Sequence, residues 1–454
     1  NFIQSMIKKI NFLFALLAFV LLKAQTGGQN FTSSPYSNFG LGEQLASHYL
    51  QIGSGFSTRS TAYSYSTFNP ATLGNIKFTT MDFGLSASSG NVEAGNQKSS
   101  FNGGGFNYLG LGLKLMHKDY VRLVLDSNNK PTPKKVFNLN LNAYASLRPM
   151  SSVGYNYSLQ STNPIPSTIA HSGSGGLNLA EAGLGMKVNN WFSLGYSAGY
   201  VFGGLSDASI FSVNDSLGYQ FVSDLSSRDV RGMKHNFGLL KKIVKDSSTH
   251  CFGFNYGFYT GVFNKTQRLT TSIIVDNFGL TYIGDTIKNY NNGYQKSELP
   301  VYFGLGYSFQ WRNKWLFQFN YAQQNWKDIG VTNAYANRKE YGLGFLLNPN
   351  DEKEKNAKRM PLQVRVGYRY VSSENNVRSN GVVNIIEENH AYLGFGVPIV
   401  RRYFDNTRVR SMINIDFGYL QRGSLDNNLA NEQYITARVG FNLGDIWFQK
   451  RKFN

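Results

Sequence analysis

His250 and Cys251 stand side by side, and an imidazole beside a thiol is the pairing that activates a sulfur nucleophile. The flanking residues undo it. They read as a strand, where neighbouring side chains leave on opposite faces, so the two groups make a poor catalytic pair. Cys251 is also the only cysteine of 454 residues, which excludes an internal disulfide. It falls near a strand end, beside a short turn at 245–249. The histidines His48, His117, His171, His235, His250 and His390 are scattered without metal-ligand spacing. The string Gly173-Ser174-Gly175-Gly176 lacks the following helix that a phosphate loop requires. No catalytic residue, metal or cofactor is assigned, and the chain is not read as an enzyme.

The residues that remain do their chemistry through faces. From about residue 76 onward, apolar and aromatic side chains take every second position. Val301, Phe303, Leu305, Tyr307, Phe309 and Trp311 alternate with Tyr302, Gly304, Gly306, Ser308 and Gln310. After Arg312-Asn313, Trp315, Phe317, Phe319 and Tyr321 alternate with Leu316, Gln318, Asn320 and Ala322. A period of two means strands whose faces meet different surroundings. One face is aromatic-rich, the other polar and rich in glycine. That suits a barrel with lipid outside and a polar lumen, not a soluble sandwich.

Alternation predicts an all-β fold, a transmembrane antiparallel barrel of about fourteen strands. They are placed at 76–88, 103–117, 136–148, 177–188, 191–204, 231–245, 250–263, 299–311, 314–325, 337–348, 361–373, 386–398, 408–421 and 433–444. Short connections at 189–190, 246–249 and 312–313 alternate with long ones at 149–176, 205–230 and 264–298. Short periplasmic turns and long external loops mark bacterial barrels, so both barrel ends are expected in the periplasm. Two periplasmic connections, 118–135 and 349–360, are longer than that rule expects. Glu181, Lys187, Arg365, Arg369, Asp416 and Arg438 fall on the inward register. A charge facing lipid at mid-depth costs about 2–4 kcal/mol, so this register is strongly specified.

Hydrophobic content is 41% and mean hydropathy −0.30, which excludes a helical membrane protein. The apolar run at 10–22 is shorter than the roughly 20 residues of a spanning helix. It follows Lys8-Lys9 and precedes Ala24-Gln25, the layout of a cleavable signal peptide at 1–24, with 1–5 ahead of Met6 as an upstream extension. No cysteine near the cleavage point marks a lipid anchor. The net charge is +18, three units of it from Lys8, Lys9 and Lys23. An exported barrel meets no nucleic acid, so the basic balance is assigned to acidic lipid head groups and lipopolysaccharide, or to solvated turns and the tail at 449–454. The barrel proper is expected over 76–448, in the outer membrane of a Gram-negative bacterium.

Residues 25–75 lack sustained alternation and are rich in Ser, Gly, Tyr, Asn and Thr. Fourteen strands enclose more space than their side chains fill. Inward glycines at 183, 185, 195, 199, 253, 257, 304, 306, 342, 344, 394 and 396 let another backbone approach the wall. Residues 25–75 are therefore expected to form a plug in the lumen.

The stretch Ser64-Tyr65-Ser66-Thr67-Phe68-Asn69-Pro70-Ala71-Thr72-Leu73 resembles the hatch of the FadL-like long-chain fatty-acid transporter family. The order of Ser34-Pro35-Tyr36-Ser37-Asn38, Gly175-Gly176-Leu177-Asn178 and Trp447-Phe448-Gln449-Lys450 is similar to that of the same barrels. The resemblance implies a fourteen-stranded barrel with an N-terminal hatch centred on Asn69, Pro70 and Ala71. It also implies capture of a hydrophobic ligand by outer loops and its sideways release through a kinked third strand. Pro149 and Gly154 are the residues here that would break pairing and open such a portal. Phe211, Tyr219, Phe221, Tyr282, Tyr290 and Tyr294 would supply aromatic capture in the outer loops. Passive uptake of a hydrophobic small molecule is the first expectation. The alternative is a non-transporting subunit of a larger outer-membrane machine, for secretion or barrel assembly, bound to other outer-membrane or periplasmic proteins. Asp215-Ser216-Leu217 and Asp285-Thr286-Ile287 also resemble bacterial O-glycosylation sites.

Overall fold

The computed structural model describes residues 34–38, 41, 43–44, 57–59, 61–125, 131–161, 166–189, 191–215, 218–275, 281–312, 314–329, 335–348, 362–379, 381–402, 408–426 and 429–447. The expected signal peptide, the basic tail and the 349–360 connection lie outside them. No helix among the described residues is long and apolar enough to cross a membrane. The chain is a strand protein: β1 (Glu43–Gln44), β2 (Thr79–Ala94), β3 (Gln97–Leu125), β4 (Pro131–Pro149), β5 (Ser151–Ser161), β6 (Ser167–Val188), β7 (Phe192–Asp215), β8 (Gly218–Lys245), β9 (Ser248–Val275), β10 (Thr281–Asn291), β11 (Gln295–Lys296), β12 (Tyr302–Trp311), β13 (Trp315–Gln324), β14 (Arg338–Leu347), β15 (Gln363–Ser379), β16 (Val382–Arg402), β17 (Arg408–Arg422) and β18 (Ala430–Asp445).

Each wall strand pairs antiparallel with its neighbour, and β18 closes the ring on β2 from Ala430–Ala94 to Asp445–Thr79. Counting β4 and β5 as one broken strand gives a closed barrel of fourteen. Burial runs inside out, as a lipid surround demands. Ile435 is 64% exposed on the outer face, whereas Arg365 is 0% and Asp416 2% exposed on the inner one. The end where β2 begins and β18 finishes carries Trp191, Trp311, Trp315 and Trp447. There Arg312 stacks over Trp311 at 4.7 Å and Lys314 over Trp315 at 5.4 Å. Such cation and tryptophan pairs fit the height of lipid head groups.

Two expectations about connections are corrected. The stretches 205–230 and 264–298, and most of 149–176, are not long loops. They carry the strands onward, so that β8 and β9 each reach 28 residues against 10 for β12. A transmembrane strand needs only about 9–11 residues. The β8–β9 and β12–β13 turns lie level, Arg312 N–H donating to the Ser247 carbonyl at 2.7 Å, so the excess rises at the opposite end. The upper halves of β5 to β10 pair in sequence there as a projecting sheet. Likewise 118–135 is mostly a hairpin continued from β3 and β4.

Candidate functional site

Residues 57–59 and 61–76 lie against inward positions of β3, β4, β6 to β9, β12, β13 and β18, led by a turn that its sequence dictates. Asn69 caps a 3₁₀ turn at Pro70–Asn75, its side-chain oxygen accepting from Ala71 N–H at 3.1 Å. Proline in the first position needs no donor there. The Asn69 side-chain nitrogen donates to the Ser57 carbonyl at 2.7 Å and to the β8 carbonyl of Leu239 at 3.2 Å. Wall asparagines hold the segment from outside. Asn142 on β4 donates to the Leu73 carbonyl at 2.8 Å, Asn236 on β8 to that of Phe68 at 2.9 Å, and Asn442 on β18 to that of Tyr63 at 2.8 Å. Asn320 on β13 accepts from Ser57 N–H at 3.3 Å. At Gly195 on β7 the approach is so close that a Cβ would stand 2.3 Å from the Ala71 nitrogen. Only glycine leaves that room.

A second feature is a gap in the wall. β4 pairs with β3 from Leu109–Leu147 downward, then stops at Pro149. Beyond Met150 the chain resumes as β5, which pairs with β6 but not with β3. The upper part of β3, from Gln97 to Tyr108, is thus paired on the β2 side alone among the described residues. The free edge of β5 is met from inside the barrel. Ser34 N–H donates to the Gly154 carbonyl at 2.7 Å, Gly154 N–H donates to Ser37 Oγ at 3.1 Å, and β1 pairs Glu43 with Ser152. Ser151 Oγ donates to the Leu41 carbonyl at 2.7 Å. Beside the break, a Cβ on Gly176 would stand 2.3 Å from the Ser151 carbonyl, so the glycine string of β6 makes room for it.

The interior behind the gap is apolar. Leu177, Leu179, Val201 and Val230 form one cluster, Val153, Tyr155 and Leu205 a second, and Val262, Leu299 and Trp326 a third. Leu41 packs against all three and Met150 against two, so the clusters are joined by the chain's own side chains. Charged groups interrupt it: Ser197 Oγ donates to Glu181 Oε1 at 2.6 Å, Lys234 Nζ stands 3.9 Å from the same oxygen, and the buried Arg148 lies near Lys234. The opposite wall is ionic. Arg338 bridges Glu340 and Glu374 at 2.9 and 3.0 Å, and Arg422 bridges Glu388 and Glu432 at 3.3 and 3.1 Å. There Tyr36 of the inner segment donates to the Ala430 carbonyl at 2.6 Å. Burial, then the Glu432 carboxylate, push the Tyr36 phenol above its ordinary value and keep it a donor.

Sequence-derived candidates fare unevenly. Asn69, Pro70 and Ala71 come together with the wall, and Pro149 and Gly154 flank the gap. The aromatic set is not gathered into a pocket and is not in loops, apart from Tyr294. Phe211 lies on β7, Tyr219 and Phe221 on β8, and Tyr282 and Tyr290 on β10. Phe211 faces Val222 across the strands and Phe221 faces Ser212, so the two phenylalanines point to opposite faces. The Asp285-Thr286-Ile287 triplet sits on β10. Sequence reasoning missed the wall asparagines, whose signal was their inward register. It also missed Gly195-Tyr196-Ser197-Ala198-Gly199, which spells a nucleophile elbow. That motif needs a strand-to-helix turn, and here it lies within β7.

The closed antiparallel ring of fourteen strands has the FadL-like outer-membrane barrel fold. The toluene transporter TodX of P. putida is similar over 87% of this chain and 99% of its own, at 15% identity and a TM-score of 0.52. The monoaromatic hydrocarbon channel CymD is similar over 89% and 100%, at 14% identity and a TM-score of 0.51. No functionally curated protein matches the sequence. The chain belongs to the BamG family, whose profile matches residues 6–122 and 137–454.

Proposed function

We propose that this barrel is an outer-membrane channel that admits a hydrophobic small molecule and releases it sideways between β3 and β5. The missing β3–β5 pairing is the observation that carries this reading. Behind it lies an apolar cluster of Leu177, Leu179, Val201 and Val230, a surface suited to an apolar guest. Leu41 and Met150 pack against that cluster, so passage requires them to move aside. The shared fold with TodX and CymD lends support for cargo of monoaromatic size. The test is uptake of toluene by cells carrying the wild type, a deletion, or Val201→Glu, which places a charge in the apolar cluster. Wild type is expected to exceed both others several-fold while a hydrophilic solute enters all three alike. Equal uptake of every hydrophobic compound by wild type and deletion would rule the channel out.

A second reading, a partner subunit of an outer-membrane machine, is favoured by the projecting sheet. Its edge strand β10 exposes Tyr282 at 52%, Ile283 at 81% and Ile287 at 60%. A long edge with exposed apolar residues invites pairing with another chain. Gentle extraction of the tagged protein separates the two readings. Stoichiometric recovery of a fixed set of envelope proteins supports the subunit; a lone barrel carrying lipid leaves the channel.

A further inference from the structure

At the end of the barrel where β2 begins and β18 finishes, two neighbouring turns gather cations on the outer wall. Leu240 of β8 packs inward with Ala71 and Cys251, so strand alternation turns Lys241 and Lys245 outward. The register carries this outer row from Lys245 to Ser248, from Ser248 to Trp311 and from Trp311 to Trp315. The β8–β9 and β12–β13 turns are held level by the bond from Arg312 N–H to the Ser247 carbonyl. Arg312 and Lys314 therefore stand on the rim beside the Lys245 turn, each over its own tryptophan. Among the described residues, the side chains of Lys241, Lys245, Arg312 and Lys314 make no ion pair or hydrogen bond. Asp246 is the only carboxylate of these two turns. The stretch 349–360, which follows Asn348 next to Lys314, adds four basic and three acidic residues and so no acidic excess.

Toward the middle of the wall the same outer face is apolar. Ile243, Phe252 and Phe317 are exposed there, and Phe309 stacks on Phe317 with centroids 6.5 Å apart. The polar atoms of this stretch serve each other, His250 Nδ1 lying 2.9 Å from the Tyr307 hydroxyl. A row of cations at the foot of an apolar wall has the layout of a lipid, with acyl chains along the wall and a negative head at its foot. Tryptophan sits at the height where chain gives way to head group. An arginine lying flat on an indole keeps its N–H edge for a phosphate fork. Short turns mark the periplasmic end of a bacterial barrel, and the leaflet met there is phospholipid.

We propose that this patch binds an anionic phospholipid, one whose phosphodiester has no balancing ammonium, as in phosphatidylglycerol. Arg312, Lys314 and Lys245 take the phosphate at the rim, Lys241 adds positive charge from the side, and the chains lie over Ile243, Phe252 and Phe309. A zwitterionic head brings its own cation and gains little from the row, whereas a free phosphate makes no use of the wall. Each lysine or arginine near an anionic lipid contributes about fivefold in affinity. This inference does not depend on the channel reading.

The experiment reads tryptophan fluorescence of the purified full-length protein in phosphatidylcholine vesicles. A small, equal fraction of chain-brominated lipid, either phosphatidylglycerol or phosphatidylcholine, serves as quencher. Trp447, next to the basic tail, is changed to Phe in every protein compared, so that the signal comes mainly from Trp191, Trp311 and Trp315. The protein with its cations intact is expected to be quenched at least twofold more by the brominated phosphatidylglycerol. Raising the salt should narrow that difference, because the cations are exposed. Lys245→Gln with Arg312→Gln and Lys314→Gln is expected to bring the two lipids level. Should the triple variant fail to migrate as a heat-modifiable barrel, Arg312→Gln alone is expected to lower the excess by about half. Equal quenching by the two lipids with the cations intact overturns the site. So does an excess that the variants retain undiminished, because the lipid is then drawn to charge elsewhere on the ring.

Discussion

Asn69 is fully buried, and its side chain serves as cap to the Pro70 turn and as donor to carbonyls of the inner segment and the wall. Leucine has nearly the same bulk but offers no hydrogen bonds. Asn69→Leu would leave the Ser57 carbonyl and Ala71 N–H buried without these partners, at about 1–3 kcal/mol for each orphaned group. The expected outcome is a lower thermal midpoint in detergent, with protease cleavage appearing within residues 57–76. Thr72→Val is the milder comparison, removing one hydroxyl that donates to the Asn69 carbonyl at 2.7 Å. If Asn69→Leu unfolds and resists protease like the wild type, the capping network does not hold the segment. The motif itself was legible in the sequence, because an Asn-Pro pair can only start a turn there. Its partners were not, since Leu239 and Phe254 sit 170 and 185 residues downstream and meet it only after ring closure.

The gap makes its own demand on the strands. Backbone amides of β3 between Gln97 and Tyr108 that point away from β2 have no strand to pair with, whereas those lower down are paired on both sides. Hydrogen exchange is therefore expected to be fast at alternate amides of upper β3 and slow below Leu109. Gly154 N–H should be protected, and removing residues 34–44 should expose it, because Ser37 Oγ is its acceptor. Uniform protection along β3 would mean that β5 returns to it and the wall is whole. Strand positions were readable wherever lipid bathes one face, since that contrast of surroundings creates the period of two. They became unreadable in the projecting sheet, where water meets both faces and residues such as Ser206, Ala208 and Ser212 carry no alternation. Pro149 advertised a break, but which neighbour the resumed strand would abandon depends on pairing, not on composition.

At the scale of the whole molecule the interior is divided. Its β5–β9 side holds apolar clusters behind the gap, its β14–β18 side is a wall of ion pairs and arginines, and described residues of the inner segment touch both. Ser34 ties the two together, its N–H on Gly154 of β5 and its hydroxyl on Glu432 of β18. The divided interior lets the ionic wall anchor the inner segment through Ser34 and Tyr36. It also predicts what the barrel becomes when that segment is missing. Fourteen strands enclose more volume than their side chains fill, so the interior would then hold water. Along that wall Arg338, Arg365, Arg369, Arg410, Arg422 and Arg438 stand against Glu340, Glu374, Glu388, Asp416 and Glu432, a small excess of positive charge. Deleting residues 34–65 is therefore expected to turn a barrel of negligible conductance in planar bilayers into an open pore that prefers anions. Arg365→Gln with Arg410→Gln in the deleted background should reduce that preference while leaving the pore open. A deletion that folds, migrates as a heat-modifiable barrel and still conducts no ions would mean that wall side chains close the lumen without the segment.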